Sequence, residues 1–178
     1  MTDTITPRET KNLDRYGGEP LTWDRALGAL TSEWMQQGPS GDGLPHTHWL
    51  ATSRADGKPH VVPVGAAWLE GRFYFTSGPG TQKSTNLAHD PRCSIALAAR
   101  GIDLVVEGEA AIVTDDEKLQ EIAKAFFDWG PTVKDGAFTH EYSAPSAGPP
   151  PWYVYEFTPK TVFGVATADP HGATRWRM

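Results

Sequence analysis

From about residue 47 onward the chain alternates β-rich runs with hairpin turns, and its strands come in pairs with no helix inside a pair. HTHWLATSR predicts a strand from about Thr47 to Ser53, turned by Asp56-Gly57. HVVPVGAAWL and RFYFTS form a second hairpin across Glu70-Gly71, and Cys93 to Ala99 with Leu104 to Val113 a third pair. WYVYEF and TVFGVAT are the last two strands. Parallel neighbours need a crossover of a dozen or more residues, usually a helix. The order here therefore predicts a mainly β fold with a few helices, built as a closed or split antiparallel β-barrel rather than a doubly wound sheet.

Three helices punctuate the strands. Trp23, Leu27, Leu30 and Trp34 recur at four, three and four residues, which puts them on one stripe of a helix from Thr22 to Gln37, stopped by Gly38-Pro39. QKSTNLAHD allows about two turns before Pro91 blocks it. Thr114-Asp115-Asp116-Glu117 reads as a capping box for a helix whose buried stripe is Leu119, Ile122, Ala123, Phe126 and Phe127, ended by Gly130-Pro131. Residues 130–151 form a long Gly/Pro/Ser-rich connection, of the kind that is functional or mobile in a compact domain. Residues 1–20 are polar and are expected to be a flexible leader, residues 21–178 a single domain, and residues 168–178 a C-terminal tail.

Charge narrows the function. With 16 Lys+Arg against 22 Asp+Glu, the net charge of −6 and the scattered basic residues argue against a nucleic-acid partner. The longest uncharged apolar stretch, about Val61 to Leu69, is roughly half of the ~20 residues a membrane-spanning helix needs. The first residues hold no apolar signal segment, so a cytoplasmic location is expected. The lone Cys93 excludes an internal disulfide and fits a small buried hydrophobe.

The most informative stretch for chemistry is Thr76-Ser77-Gly78-Pro79-Gly80-Thr81-Gln82-Lys83-Ser84-Thr85-Asn86. A strand ends, two glycines free the backbone, hydroxyls cluster, and a helix opens with a lysine in its first turn. Free N–H groups and the dipole at a helix start favour phosphate, and Lys83 adds a full charge. A capped turn with a solvated lysine is the plainer alternative. A Walker loop requires Gly where Gln82 stands, and the dinucleotide G-x-G-x-x-G pattern fails at Lys83.

The segment FYFTSGPGTQKSTNLAHDPRCSIAL, preceded by HVVPVGAAWLEGR and followed by LVVEGEAAIVTDDEKL, resembles the pyridoxamine 5′-phosphate oxidase-like split-barrel flavoproteins. The likeness is strongest to the flavin- and deazaflavin-dependent oxidoreductase branch and runs from about Thr47 to Met178. It implies a homodimer of FMN-binding split-barrel type, with FMN or the deazaflavin coenzyme F-420 held in a groove between subunits. The matched positions make Lys83, Thr81, Gln82, Thr76 and Ser77 the cradle of the cofactor phosphate, with Asn86 one turn further on. Pro63 within VVPVG cannot donate a ladder hydrogen bond and belongs at an edge or bulge. The resemblance lays that strand along the cofactor ring, making Val62, Pro63 and Val64 ring contacts, although barrel core suits the two valines equally. The tail GATRWRM resembles tails that fold over the dimer groove, with Trp176 as a flat face and Arg175 and Arg177 as anion forks; a frayed terminus is the alternative.

His46 and His48 share a strand face, but no Asp, Glu or Cys nearby completes a metal set. No Ser/His/Asp arrangement or telling carboxylate pair stands out, which is consistent with a cofactor carrying the hydride chemistry. The expected function is hydride transfer to a small organic substrate. The alternatives are a non-catalytic carrier of the same cofactor, or a haem-binding split barrel in which His60 or His140 faces the groove. Pyridoxamine phosphate oxidation itself calls for a second arginine-rich site, for which Arg175 and Arg177 are the candidates.

Overall fold

A computed structural model describes residues 5–31, 48–125, 130–141 and 147–178. Within them lie strands β1 (Glu9–Asn12), β2 (His48–Ser53), β3 (Pro59–Val64), β4 (Ala66–Leu69), β5 (Arg72–Ser77), β6 (Arg92–Ala99) and β7 (Ile102–Val113). Strands β8 (Thr132–Lys134), β9 (Ala137–Thr139), β10 (Tyr153–Ala166) and β11 (Ala173–Arg177) follow. The helices are α1 (Trp23–Thr31), α2 (Gln82–His89) and α3 (Asp116–Ala123). Thr47, Trp34, Gln37, His46, Phe126 and Phe127 lie outside the described residues. Among the described residues no helix is long and apolar enough to cross a membrane.

All the strand pairs are antiparallel, as expected of a split barrel. Nine strands form one sheet in the order β1-β11-β10-β7-β6-β2-β3, with β5 on β10 and β4 on β5. The run HVVPVGAAWL, expected as one strand, divides at Gly65: β3 pairs with β2, and β4 turns back onto β5. The covalent chain at Gly65 thus closes the ring that hydrogen bonds leave open between β3 and β4. The two-residue turn Glu70-Gly71 has φ of 50° and 77°, the doubly positive pair that matches the twist of a tight hairpin.

The split lies on β10. One of its edges pairs with β7 over the whole length. The other is shared, Tyr153–Phe157 with β5 and Thr161–Val165 with β11. The two strands expected from WYVYEF and TVFGVAT are therefore one, carried through a register shift between Pro159 and Thr161. Pro159-Lys160 reads locally as a break, yet the partner strand supplies the slack at Gly108. A Cβ there would collide with the Thr158 carbonyl oxygen and crowd the Phe157 ring.

Alternation along β7 is complete from Ile102 to Ala110, with even-numbered residues buried and odd-numbered ones exposed. The inward side chains Leu50, Phe73, Phe75, Ile95, Leu104, Val106 and Phe157 fill the barrel. Each stabilises the fold by roughly 1.5–3 kcal/mol when fully buried. A second cluster of Tyr74, Leu119, Ile122, Phe138, Trp152 and Val154 packs α3 and β9 against the other face of β5 and β10.

Four further expectations need correction. The leader is not wholly flexible, because Glu9–Asn12 add β1 to the sheet beside β11. The tail is not frayed: residues Ala173–Arg177 form β11, and Trp176 is 0% exposed, packed edge-on to Trp23 with ring centroids 5.6 Å apart, so it offers no open face. Residues 130–151 are more than a connection, since β8 and β9 form a hairpin and Phe138 bridges to Trp152; residues 142–146 lie outside the described residues. The cap of α3 also differs, for Asp115 and not Thr114 accepts the Lys118 amide, at 2.8 Å.

Candidate functional site

Helix α2 covers one end of the barrel and starts where β5 stops. Thr81 caps it, accepting the Ser84 amide on Oγ1 at 3.3 Å. The first-turn amides of Gln82 and Lys83 have no acceptor within the helix. Gly78 is required by a close approach, since a Cβ there would run into the Ala147 carbonyl oxygen. The helix turns Lys83, Ser84, Asn86 and Leu87 inward.

The hydroxyls predicted as a cradle do converge. Ser77 Oγ lies 2.7 Å from Thr81 Oγ1, and Ser84 Oγ donates to Ser77 Oγ at 2.8 Å and to the Gly78 carbonyl at 3.0 Å. Ser84 belongs to the cluster although sequence reasoning did not single it out. Thr76 stands apart from it, because strand alternation sends it to the opposite face of β5 from Ser77.

Gln82 and Asn86 face each other one turn apart and are bound into a chain of polar contacts. Arg54 Nη1 donates to Gln82 Oε1 at 3.0 Å, and Gln82 Nε2 to Asn86 Oδ1 at 2.7 Å. Asn86 Nδ2 then donates to Thr52 Oγ1 at 2.9 Å. Two residues of the β2 end, Thr52 and Arg54, thereby fix the orientation of α2. Asn86 is 2% exposed, so it faces the barrel rather than open solvent.

This bracing aims Lys83. The residue is 8% exposed, and burial pulls its ammonium below the ordinary lysine range. No described residue forms a hydrogen bond or ion pair with it. Arg54 also has no carboxylate partner among the described residues, and His60 completes the group. His60 shares the inward parity of β3 with Val62 and Val64, and its Nδ1 is buried with no hydrogen-bond partner. Burial, then the charges of Arg54 and Lys83, push its imidazolium toward the neutral form. Three basic side chains, Arg54 just past β2, His60 of β3 and Lys83 of α2, thus share one barrel end, and none of them ion-pairs with a carboxylate among the described residues; Asp56 feels the Arg54 charge but pairs with Lys58. A buried unpaired charge is costly unless something pairs it, and the arrangement fits the phosphate of an ester. Arg54 was missed as a site residue because only the strand register brings it beside a helix 28 positions away.

The other predicted residues are distributed differently. Pro63 faces outward and Val62 and Val64 inward, Val64 within the core. Among the described residues strand β3 pairs with β2 alone and its second edge carries no ladder, as a proline-bearing edge strand allows. Arg175 and Arg177 both ion-pair with Glu9, Arg177 Nη1 at 3.3 Å, and so tie β11 to β1 instead of offering free anion forks. Among the described residues no group of three His, Cys, Asp or Glu is placed to hold a metal ion.

The same architecture recurs in solved structures. A NimC/NimA family protein from Clostridium acetobutylicum superposes with a TM-score of 0.54 at 20% identity, covering 85% of this chain and 91% of that one. PhzG from Burkholderia lata, in complex with tetrahydrophenazine-1-carboxylic acid, gives 0.51 at 14% identity over 72% and 73%. General Stress Protein 26 from Bacillus anthracis gives 0.50 at 19% over 74% and 88%. At these identities the likeness concerns the fold. No curated protein matches the sequence. The family model described as pyridoxamine 5′-phosphate oxidase does match, over residues 44–166, a span that begins before β2, ends with β10 and contains Arg54, His60 and Lys83. By that match this chain belongs to the pyridoxamine 5′-phosphate oxidase family.

Proposed function

We propose that this protein is an oxidoreductase that binds FMN or the deazaflavin coenzyme F-420 by its phosphate at the α2 end of the barrel and passes a hydride to a small organic substrate. The observation that carries this reading is the meeting of Lys83, Arg54 and His60 around the start of α2 with no carboxylate ion-paired to any of them among the described residues. Lys83 supplies the central charge, the first-turn amides of α2 add donors, and the hydroxyls of Thr81, Ser77 and Ser84 adjust to the ester oxygens. Arg54, Gln82, Asn86 and Thr52 hold the helix in place. The bound cofactor supplies the hydride chemistry, while the protein provides binding, orientation and exclusion of water. No side chain is assigned as catalytic.

The reading includes a homodimer. Register aligns Pro63, Trp49, Ala96, Val105 and Phe163 in one row across the outside of β3, β2, β6, β7 and β10. Trp49 is 47% exposed and Val105 38%. An outward apolar row across five strands is what a second copy would cover, and Pro63 joins it to the unpaired edge of β3. Sedimentation should give a dimer, and Trp49→Glu should turn it into a monomer. A wild-type monomer at tens of micromolar would remove the dimer from the reading.

The cofactor test is absorbance and fluorescence titration of the purified protein, separately with FMN and with coenzyme F-420. Micromolar binding of either one, weakened roughly 10- to 150-fold in Lys83→Ala, is the expected result. Failure of both would overturn the reading. A Soret band on haem titration in place of flavin binding would substitute a haem protein. Bound cofactor that is reduced but passes hydride to no acceptor in a broad panel would make the protein a carrier.

A further inference from the structure

His60 has a property that a simple phosphate cradle does not require. Its ring lies on the inward face of β3, beside Thr52 of β2 in register, with Nδ1 buried and unpartnered. The charged groups that face it are Arg54 from β2 and Lys83 from α2. In the β2–β3 turn, the Asp56 carboxylate is held by Lys58 at 2.8 Å and is thereby engaged with another cation. The imidazole thus shares this barrel end with two positive charges, since Arg54 and the Thr52 opposite it both hydrogen-bond to α2. In the free protein that setting, with burial, favours its neutral form. A dianion bound at Lys83 reverses the sign of the local field.

We propose that His60 is a proton-linked third cation of this site: neutral when the site is free, protonated when an oxyanion binds between Lys83 and Arg54, so that oxyanion affinity rises as the pH falls. The inference rests on the reading of this barrel end as an anion site and adds its regulation. The sign follows from linkage. Binding raises the proton affinity of His60, so by reciprocity the proton raises the affinity for the anion. The gain is complete below the midpoint of His60 in the free protein and is lost as the pH rises through its midpoint in the complex. A difference of one unit between the two corresponds to about tenfold in affinity. Phosphate esters have a second ionisation near pH ~6 and lose charge over the same range, which partly masks the effect. Sulfate stays dianionic there and is the cleaner probe.

The experiment measures inorganic sulfate affinity calorimetrically on the full chain between about pH 8 and pH 6, together with the NMR titration of the His60 ring with and without saturating sulfate. Sulfate should bind about tenfold more tightly at the lower pH, and the His60 midpoint should move upward when sulfate is present. His60→Gln should still bind sulfate, with a flat pH profile, while Lys83→Ala should lose binding throughout. An unmoved His60 midpoint in the wild type, or a pH slope that survives in His60→Gln, would overturn the role of His60. If the glutamine variant does not fold, the wild-type NMR titration decides alone. Lys83-dependent binding that is flat with pH would remove only this inference. Absence of sulfate binding at every pH would remove the anion site as well.

Discussion

At the α3 corner of the barrel, Arg72 and Lys118 ion-pair with the carboxylates of Glu156, Glu70 and Glu121, whereas at the α2 end Arg54, His60 and Lys83 ion-pair with none among the described residues. The first corner is closed upon itself. Glu156 accepts the fully buried Tyr74 hydroxyl at 2.8 Å and pairs with Arg72 Nε at 3.2 Å. Lys118 donates to Glu70 at 2.9 Å and to Glu121 at 3.1 Å, with its ammonium 5.9 Å from the centroid of the Tyr74 ring. Every charge there has a partner from the same chain, so the corner clasps α3 to the sheet. The α2 end lacks such ion pairs among the described residues, and in the proposed function a bound anion supplies the counter-charge. Similar residue types thus serve different ends, and whether carboxylates are present separates a clasp from a receptor.

This contrast can be broken experimentally, and the largest effect is expected at the unbalanced end. Lys83→Ala should weaken phosphate-ester binding by ~1.5–3 kcal/mol, the worth of a charged hydrogen bond, or roughly 10- to 150-fold. Its thermal midpoint without ligand should not fall, because no internal partner is lost. A large drop in ligand-free stability would show Lys83 to be structural.

Glu156→Ala tests the balanced corner and should behave in the opposite way. Leaving the Tyr74 hydroxyl buried without an acceptor should cost ~1–3 kcal/mol in urea unfolding, with anion affinity unchanged. Loss of anion binding in this variant would mean that the two ends are not independent.

A smaller effect is expected from Lys118→Ala, about 0.5 kcal/mol at neutral pH, since its partners are partly exposed and solvent screens them. Lys118 holds the Glu70 carboxyl below its usual range. Because that folded value is depressed, the contribution is present above the ordinary glutamate pKa of 4.5 and is lost as the pH falls through the folded value. Wild type and variant should therefore converge in stability on acidification. A gap that persists in acid would assign the effect to packing of the lysine stem.

The ligand-free α2 end should also lose stability on acidification, but in a higher pH window set by a histidine instead of a carboxylate. His60 is held neutral in the fold but protonates in the unfolded chain near its usual 6.5. Stability should decline as the pH falls from above 6.5, and saturating sulfate should restore it in a thermal-shift series. An unchanged midpoint across that range would equate the two ends.

The hairpins were legible because their signals are local. Asp56-Gly57 and Glu70-Gly71 fix turns whatever the rest of the chain does, and alternation along Ile102–Val113 fixes which face is buried. Lys83 was legible for the same reason, being a lysine at the start of a helix that follows a glycine turn. The tail misled because its partners are distant: Trp176 is buried by pairing with Val162 on one side and Thr10 on the other. Nothing in RWRM announces those neighbours. The break expected at Pro159-Lys160 misled because a bulge is decided by the opposing strand, here at Gly108.

By itself, then, the amino-acid order determined the succession of elements, the antiparallel class and the lysine at the phosphate-like turn, since each depends on residues within a few positions of one another. Only the tertiary structure decided that Arg54 and His60 join Lys83, that Gln82 and Asn86 brace the helix, and that the arginines of the tail are consumed by Glu9. Those outcomes depend on register between strands and on which charges end up buried together. Coulomb interactions and desolvation act through space, so the sign of a site is set by neighbours that the sequence keeps far apart.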